Sequence, residues 1–492
     1  MGNSKESSAN KWNSFSYVAI SAINFLLFTL VFKVFPSEIV GFYVLLNSIF
    51  FLGGNLDLGF GISTIKLIAE ANRKDDTEYI NSYFYTYLIA YFFLSILVLT
   101  LQYFYFIYFI RNLVSVNIDI ETINNVYFLM SVNFLFTFMY SYLRSFLEGL
   151  FQYIYISKVL LISNILLLVS SFIVVLVCKN FIWFVLISAL ISVCVFIVYF
   201  AKIFKRLNSF VRFKYLKSEL IKENIKYSIK LQISFFIGNS IDYIIKYLVT
   251  VFLSLGFVAI YESGKKFTTF INGFIYSTQK VILVKLSEVS EKHRIFDELK
   301  SDIYKYSNQS VKFIFLFYAV LNPAICIFLF YWFNNIDTAI VFLLLALPQT
   351  FICFLISLYN VIIIEGRGLF LITIQILNVL LISGLTIVWF VMFKSFWGLL
   401  GYYLATILTT LIIFYYFRRY HIFSTIEFLK NVKFAKIIIL NILIIVEVIM
   451  LSESFNFMYV IVVAQIMFLT LYYNETISLF RNFYSNFLKP KI

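Results

Sequence analysis

Apolar stretches of about 20 residues, the length that crosses a bilayer, recur along the whole chain with short polar breaks between them. Within each stretch the apolar residues run continuously, without the two-residue alternation of a membrane β-strand. The bilayer core offers backbone groups no water, so such stretches must be helices. A window of about 19 residues places about fourteen of them, over residues 13–35, 40–66, 81–110, 123–147, 153–178, 182–204, 228–252, 257–283, 309–332, 338–363, 371–393, 397–417, 435–452 and 457–473. The expected fold is an all-α polytopic membrane protein. The first run, Phe15 to Phe35, lacks a small-residue cleavage site after it and reads as the first span, not a signal peptide.

Composition supports this reading and removes others. Hydrophobic residues make up 62% of the 492, which would leave a soluble domain of this size with large apolar surface in water. The formal charge is +14, but the basic residues gather in alternate loops: Lys202 to Lys230, Lys285 to Lys312, Arg418 to Lys436 and Arg481 to Lys491. That asymmetry is the positive-inside signature, not a nucleic-acid footprint. It places the loops near 70–80, 205–227, 284–308 and 418–434 in the cytoplasm, with both termini. The loops near 36–39, 179–181, 253–256, 333–337 and 394–396 lie on the other side. The cysteines Cys178, Cys194, Cys326 and Cys353 stand singly, and His293 and His421 have no ligand-spaced neighbours. No metal or cofactor is indicated.

The chain also repeats itself. The second span opens with Gly41-Phe42-Tyr43 and ends in Lys66-Leu67-Ile68-Ala69-Glu70; the eighth opens with Ala259-Ile260-Tyr261 and ends in Lys285-Leu286-Ser287-Glu288. From Tyr43 to Glu70 and from Tyr261 to Glu288 the distance is the same, 27 residues. Equivalent segments in two six-span halves suggest parallel repeats. The expected organisation is a six-helix lobe over 1–204, a basic cytoplasmic linker over 205–227, a second six-helix lobe over 228–417, and two further helices with a cytoplasmic tail over 418–492.

The segment Gly54-Asn55-Leu56-Asp57-Leu58-Gly59-Phe60-Gly61, running on to Ala69-Glu70, resembles the second-span signature of polysaccharide-biosynthesis membrane proteins. These are the Wzx-type oligosaccharide flippases of the MOP superfamily, which also holds the MATE antiporters and lipid II flippases. Ile241-Asp242, followed by Ala259 to Phe267, looks like the matching seventh-to-eighth-span stretch. The resemblance covers the span plan of essentially the whole chain. It implies two six-helix lobes facing a central cavity, and movement of undecaprenyl-diphosphate-linked sugar units between leaflets. Lys66 stands where the family motif usually has Arg, which keeps the charge but not the bidentate fork.

Ionisable groups at membrane depth are costly, so each is a functional candidate. Asp242 and Lys246 share a helix face at i,i+4, as do Glu262 and Lys266. A hairpin turning near Ser254 would also set Asp242 level with Lys266, and Lys246 level with Glu262. These charges read either as salt bridges pinning a hairpin or as a cationic wall for a diphosphate built from Lys246, Lys265 and Lys266. Arg144 and Glu148 form another i,i+4 pair, either interfacial or in contact with a lipid headgroup. Asp57, among Gly53, Gly54, Gly59 and Gly61, reads as a bending or gating element or as tight packing. Lys66 and Glu70 read as topogenic and structural, as does Lys280. Glu447 is isolated in the thirteenth span.

Three functions compete. The first is a flippase moving a lipid-linked oligosaccharide, an O-antigen or capsule repeat unit, across the inner membrane by alternating access. Its partners would be that lipid, the surrounding membrane lipids, and the polymerase and glycosyltransferases of the same pathway. The second is a cation-coupled multidrug or other precursor exporter on the same fold; residues 14–35 hold no Asp or Glu, whereas such antiporters commonly place a carboxylate there. The third is a membrane polymerase or glycosyltransferase, for which the longest outward loop, Arg111 to Thr122, is short. The chain reads as a transporter and not an enzyme.

Overall fold

The computed structural model describes residues 2–57, 60–114, 118–207, 218–289, 295–364, 368–420 and 425–453. The elements are α1 (Gly2–Val34), α2 (Ser37–Gly54), α3 (Phe60–Arg73), α4 (Thr77–Tyr105), α5 (Arg111–Val114), α6 (Ile120–Gly149), α7 (Tyr153–Ile173), α8 (Phe181–Leu207), α9 (Ser218–Phe252), α10 (Leu255–Val289), α11 (Ile295–Phe315), α12 (Asn322–Phe333), α13 (Ile336–Ile364), α14 (Gly368–Phe393), α15 (Leu400–Tyr420), α16 (Thr425–Asn431) and α17 (Ala435–Glu453). Single π turns over Phe106–Ile110, Val174–Cys178 and Leu316–Val320 extend α4, α7 and α11. Apart from 40–66, every apolar stretch expected up to 435–452 falls on helix, and 457–473 lies outside the described residues. Ten helical segments among the described residues are long and apolar enough to cross a membrane.

One expectation fails. The second stretch, read as a single span over 40–66, is two helices, with α2 ending at Gly54 and α3 starting at Phe60. Gly53, Gly54, Gly59 and Gly61 weaken a helix there, because glycine loses more backbone freedom on ordering than other residues. Asn55 turns its amide back onto the Phe51 carbonyl at 2.8 Å, the local bonding by which Asn competes with helix. Other boundaries follow ordinary capping chemistry. Asp76 accepts from the Tyr79 amide at 2.9 Å to start α4, and Asp119 accepts from Thr122 at 3.1 Å to start α6. Asn334 closes α12 in the left-handed region.

The chain packs as two compact units, residues 1–259 and 260–492. In the first, α6 packs against α3, α4 and α8, α1 lies on α7, and α2 lies on α9. Backbones approach closely at two glycines. A Cβ on Gly149 would sit 2.8 Å from Ile68, and one on Gly41 would sit 1.9 Å from the Leu255 carbonyl oxygen. In the second unit α13 is the core helix, with 94% of its apolar 18-residue stretch buried, packed against α11, α12, α15 and α17. Pro348 lies inside α13 and removes one rung of its hydrogen-bond ladder.

Candidate functional site

In the first unit the polar groups converge on the α2–α3 break. Asp57 starts α3 by accepting from the Gly61 amide at 3.3 Å. It also accepts from the Tyr91 hydroxyl at 3.3 Å. A side chain at Gly61 would press on Asp57, its Cβ only 3.1 Å from Oδ2. Gly59 lies outside the described residues. Tyr91 ends a ladder of tyrosines on one face of α4: Tyr79, Tyr83, Tyr87 and Tyr91, one per turn. The rings of Tyr83 and Tyr87 stack at 4.2 Å and those of Tyr91 and Tyr142 at 4.8 Å. Lower on the ladder the Tyr83 hydroxyl meets Thr64 of α3 at 3.0 Å. The four-residue spacing is visible in the sequence, but it does not say which helix the stripe faces.

The break is fastened to α9. The Gln232 amide donates to the Asn55 carbonyl, and Asn239 donates to Asn55 Oδ1 at 3.2 Å. Seven residues before Asn55, Ser48 Oγ accepts from Lys246 Nζ at 2.9 Å, and Lys246 stands seven residues after Asn239. Equal steps in opposite directions are what an antiparallel pair of helices requires over two turns. Lys246 is 4% exposed and forms an ion pair with Asp242 at 3.0 Å along its own helix. A lysine this deep is tolerable because its charge is both paired and hydrogen-bonded.

The remaining predicted pair on this unit, Arg144 and Glu148, meets at 2.9 Å, with the arginine side chain half exposed. Lys66 is exposed on α3. Glu70, next to the same end, is engaged by Lys74 at 2.8 Å, and that bond holds its carboxyl below the usual carboxylate range.

In the second unit Glu262 pairs with Lys266 at 3.0 Å on α10; the glutamate side chain is 11% exposed and the lysine 35%. Lys265 Nζ lies 5.8 Å from the centre of the Tyr261 ring, within cation–π range. Between these residues Gly264 sets the α10 backbone against α13, where an added Cβ would come 2.9 Å from Phe342 main-chain atoms. A neutral network runs further along the same helices. Asn272 donates to Gln349, the Cys353 thiol donates to Asn272 Oδ1 at 2.9 Å, and Gln349 donates to the Tyr402 hydroxyl at 3.3 Å. Asn441 on α17 donates to Thr350 at 2.9 Å, so the thirteenth stretch is tied into the unit's core. Glu447, on the same helix, is buried. Amides inside apolar helices are the sequence signal for such networks.

A family model described as "Polysaccharide biosynthesis protein" matches residues 10–283. No curated protein matches by sequence. Among solved structures, the chain is similar to "Lipid II flippase MurJ, inward closed conformation", with TM-score 0.68 and 12% identity over 94% of this chain and 99% of that one. A second similar structure is an inward-facing multidrug resistance MATE family transporter of the MOP superfamily, with TM-score 0.61 and 13% identity over 81% of this chain and 94% of that one. The Vibrio cholerae MATE transporter VcmN in the bent form matches with TM-score 0.54 and 13% identity, covering 88% and 98%. At these identities the likeness is one of fold, the polytopic MOP-like fold.

Proposed function

The chain is a member of the polysaccharide biosynthesis protein family, and from that membership we propose that it is a flippase for an undecaprenyl-diphosphate-linked oligosaccharide. The cargo is an O-antigen or capsule repeat unit, carried from the inner to the outer leaflet of the bacterial inner membrane by alternating access. The observation that carries the reading is the family match over residues 10–283 combined with a fold likeness to a lipid II flippase that spans 94% of the chain. Both termini are cytoplasmic in this proposal, and the polymerase and glycosyltransferases of the pathway act before and after it.

A diphosphate taken out of water needs several charge-assisted donors. Lys246 has Asp242 and Ser48 within hydrogen-bond distance, which suits a structural cation better than a cargo contact. Lys266 and Arg144 are also paired with glutamates, but Lys265 and Lys266 are only partly buried and Arg144 is half exposed, so these three are more open to a headgroup than Lys246. Asp57, Gly59 and Gly61 serve the bend in the second span, and Asp242, Glu262, Glu148, Lys66 and Glu70 hold their helices in register. No step in this cycle makes or breaks a covalent bond.

The test is reconstitution in liposomes with a fluorescent lipid-linked oligosaccharide, reading loss of protected headgroup signal after an impermeant quencher is added. Protein-containing vesicles should expose the protected half well faster than empty ones. Equal rates, with uptake of a drug-like cation by the same vesicles, favour the second reading, multidrug export. The MATE-like fold supports that alternative, while the lack of any carboxylate in residues 14–35 weighs against it.

A further inference from the structure

At the basic end of the first unit, where α6 turns into α7 and α8 finishes, lies a pocket of about 260 Å³ lined by Leu147, Gln152, Lys202, Lys205 and Arg206. Its floor is a tight turn, with the Gln152 amide donating to the Leu147 carbonyl at 3.0 Å and the Phe151 amide to Glu148 at 2.9 Å. Phe151 adopts the left-handed region there, with φ 59°. Its wall is the end of α8, which carries Lys202, Lys205 and Arg206 within five residues, the last two in the final turn.

Two of these cations are held in place by neutral groups. Lys202 Nζ sits 5.1 Å above the Tyr155 ring, and Arg206 donates to the Asn72 side-chain oxygen at 2.9 Å. None of the three has a carboxylate partner among the described residues. Glu148, one turn from Gln152, is taken by Arg144 at 2.9 Å. The pocket thus gathers three positive charges with no negative one, which a bound anion would balance. Basic residues at a helix C-terminus also oppose its dipole, but that effect needs no pocket and no Gln152.

The surroundings distinguish the kinds of anion. Only 17% of the α7 span is buried within the protein, and its outer face carries Ile162, Leu166, Val169 and Phe172, each more than half exposed. The adjoining face of α8 shows Leu190 and Ile197. The two helices are joined at the pocket end by the Tyr155 hydroxyl, which donates to the Val198 carbonyl at 3.3 Å. An apolar face leading up to a cationic cup fits a molecule with acyl chains and a phosphate head. Basic pockets at the ends of membrane helices bind anionic lipid headgroups in this way.

We propose that this pocket is a binding site for the phosphate headgroup of an anionic membrane lipid, separate from the cargo site. The site does not depend on what the protein transports. The full chain in phosphatidylcholine mixed micelles is titrated with phosphatidylglycerol, and bound lipid is counted by native mass spectrometry. Phosphatidylglycerol should bind about tenfold or more above the zwitterionic background, the size of effect expected from charge-assisted contacts. The triple substitution Lys202→Gln, Lys205→Gln, Arg206→Gln should erase that preference, and Lys202→Arg with Lys205→Arg should keep it. If the triple variant does not fold, Lys205→Gln alone is read, with a loss of about threefold expected. Inorganic phosphate at millimolar concentration should not displace the lipid. Unchanged phosphatidylglycerol binding in the folded triple variant, or in Lys205→Gln where the triple does not fold, overturns the site. Displacement by inorganic phosphate overturns its assignment to a lipid.

Discussion

The ammonium of Lys246 on α9 donates to the hydroxyl of Ser48 on α2 at 2.9 Å, so a charge and a neutral hydroxyl meet inside the apolar part of the fold. Asp242 pairs with the lysine at 3.0 Å, so removing either charge takes a close opposite charge away from the other. Lys246→Ala or Asp242→Ala should each lower stability by about 3–5 kcal/mol, read as the melting midpoint of detergent-solubilised protein. Exchanging the two (Asp242→Lys with Lys246→Asp) keeps an i,i+4 pair and should recover much of the loss. An exchange no better than the single changes would show that the partner of Asp242 is elsewhere.

The start of α3 depends on the Asp57 carboxylate. Asp57→Ala removes the acceptor for the Gly61 amide and should cost about 0.5–2 kcal/mol, as other cap deletions do. Hydrogen exchange should quicken first at the amides following Phe60. Asp57→Asn keeps an acceptor and should stay close to the parent. Tyr91→Phe, which removes the hydroxyl donor, should fall between the two.

A different glycine tests the core of the second unit. Gly264→Leu drives a side chain into the Phe342 backbone, which has no rotamer with which to yield. Overpacking of this kind costs about 1–3 kcal/mol or more, so reduced membrane yield and a lower melting midpoint are expected. A stable Gly264→Leu protein would mean that α10 and α13 separate readily at this point.

Transport should respond to Lys265 without a matching loss of protein. Lys265→Ala leaves the Glu262–Lys266 and Asp242–Lys246 pairs in place. One lost charge-assisted contact, about 1.5–3 kcal/mol, corresponds to tenfold or more in affinity, and glycan export should drop accordingly. Lys265→Arg should keep most of it. Normal export by both Lys265→Ala and Lys265→Glu at normal protein levels would move the headgroup contact to Arg144 or Lys66.

Orientation is tested at Lys217, in the basic stretch between α8 and α9. A cysteine there, in a background lacking Cys178, Cys194, Cys326 and Cys353, should resist an impermeant thiol reagent in intact cells and react once they are opened. Labelling in intact cells would reverse the direction of transport.

The span plan was legible because length and apolarity are properties of single segments, and the bilayer leaves a 20-residue run few alternatives. What went unread depends on which faces meet. The sequence 40–66 looks continuous because Leu56, Leu58 and Phe60 fill the gap with apolar side chains. Only the bonds from Asn55 to Phe51 and from the Gly61 amide to Asp57 reveal the break. The charges of the seventh and eighth spans could be paired along a helix or across a hairpin by spacing alone. Asp242 with Lys246 and Glu262 with Lys266 form the along-helix pairs. Asn272, Gln349 and Asn441 were visible as residues but not as a network, since their partners are far apart in the chain.

Where α2 begins, nothing larger than a hydrogen atom separates position 41 from the carbonyl of Leu255. Main chain rests on main chain there, and no rotamer can soften the fit. A bulky residue at 41 would act as a doorstop, holding the start of α2 off the start of α10 whatever cargo is present. Gly41→Leu is therefore a means of trapping the protein with that joint parted, and of asking which leaflet its cargo site then faces.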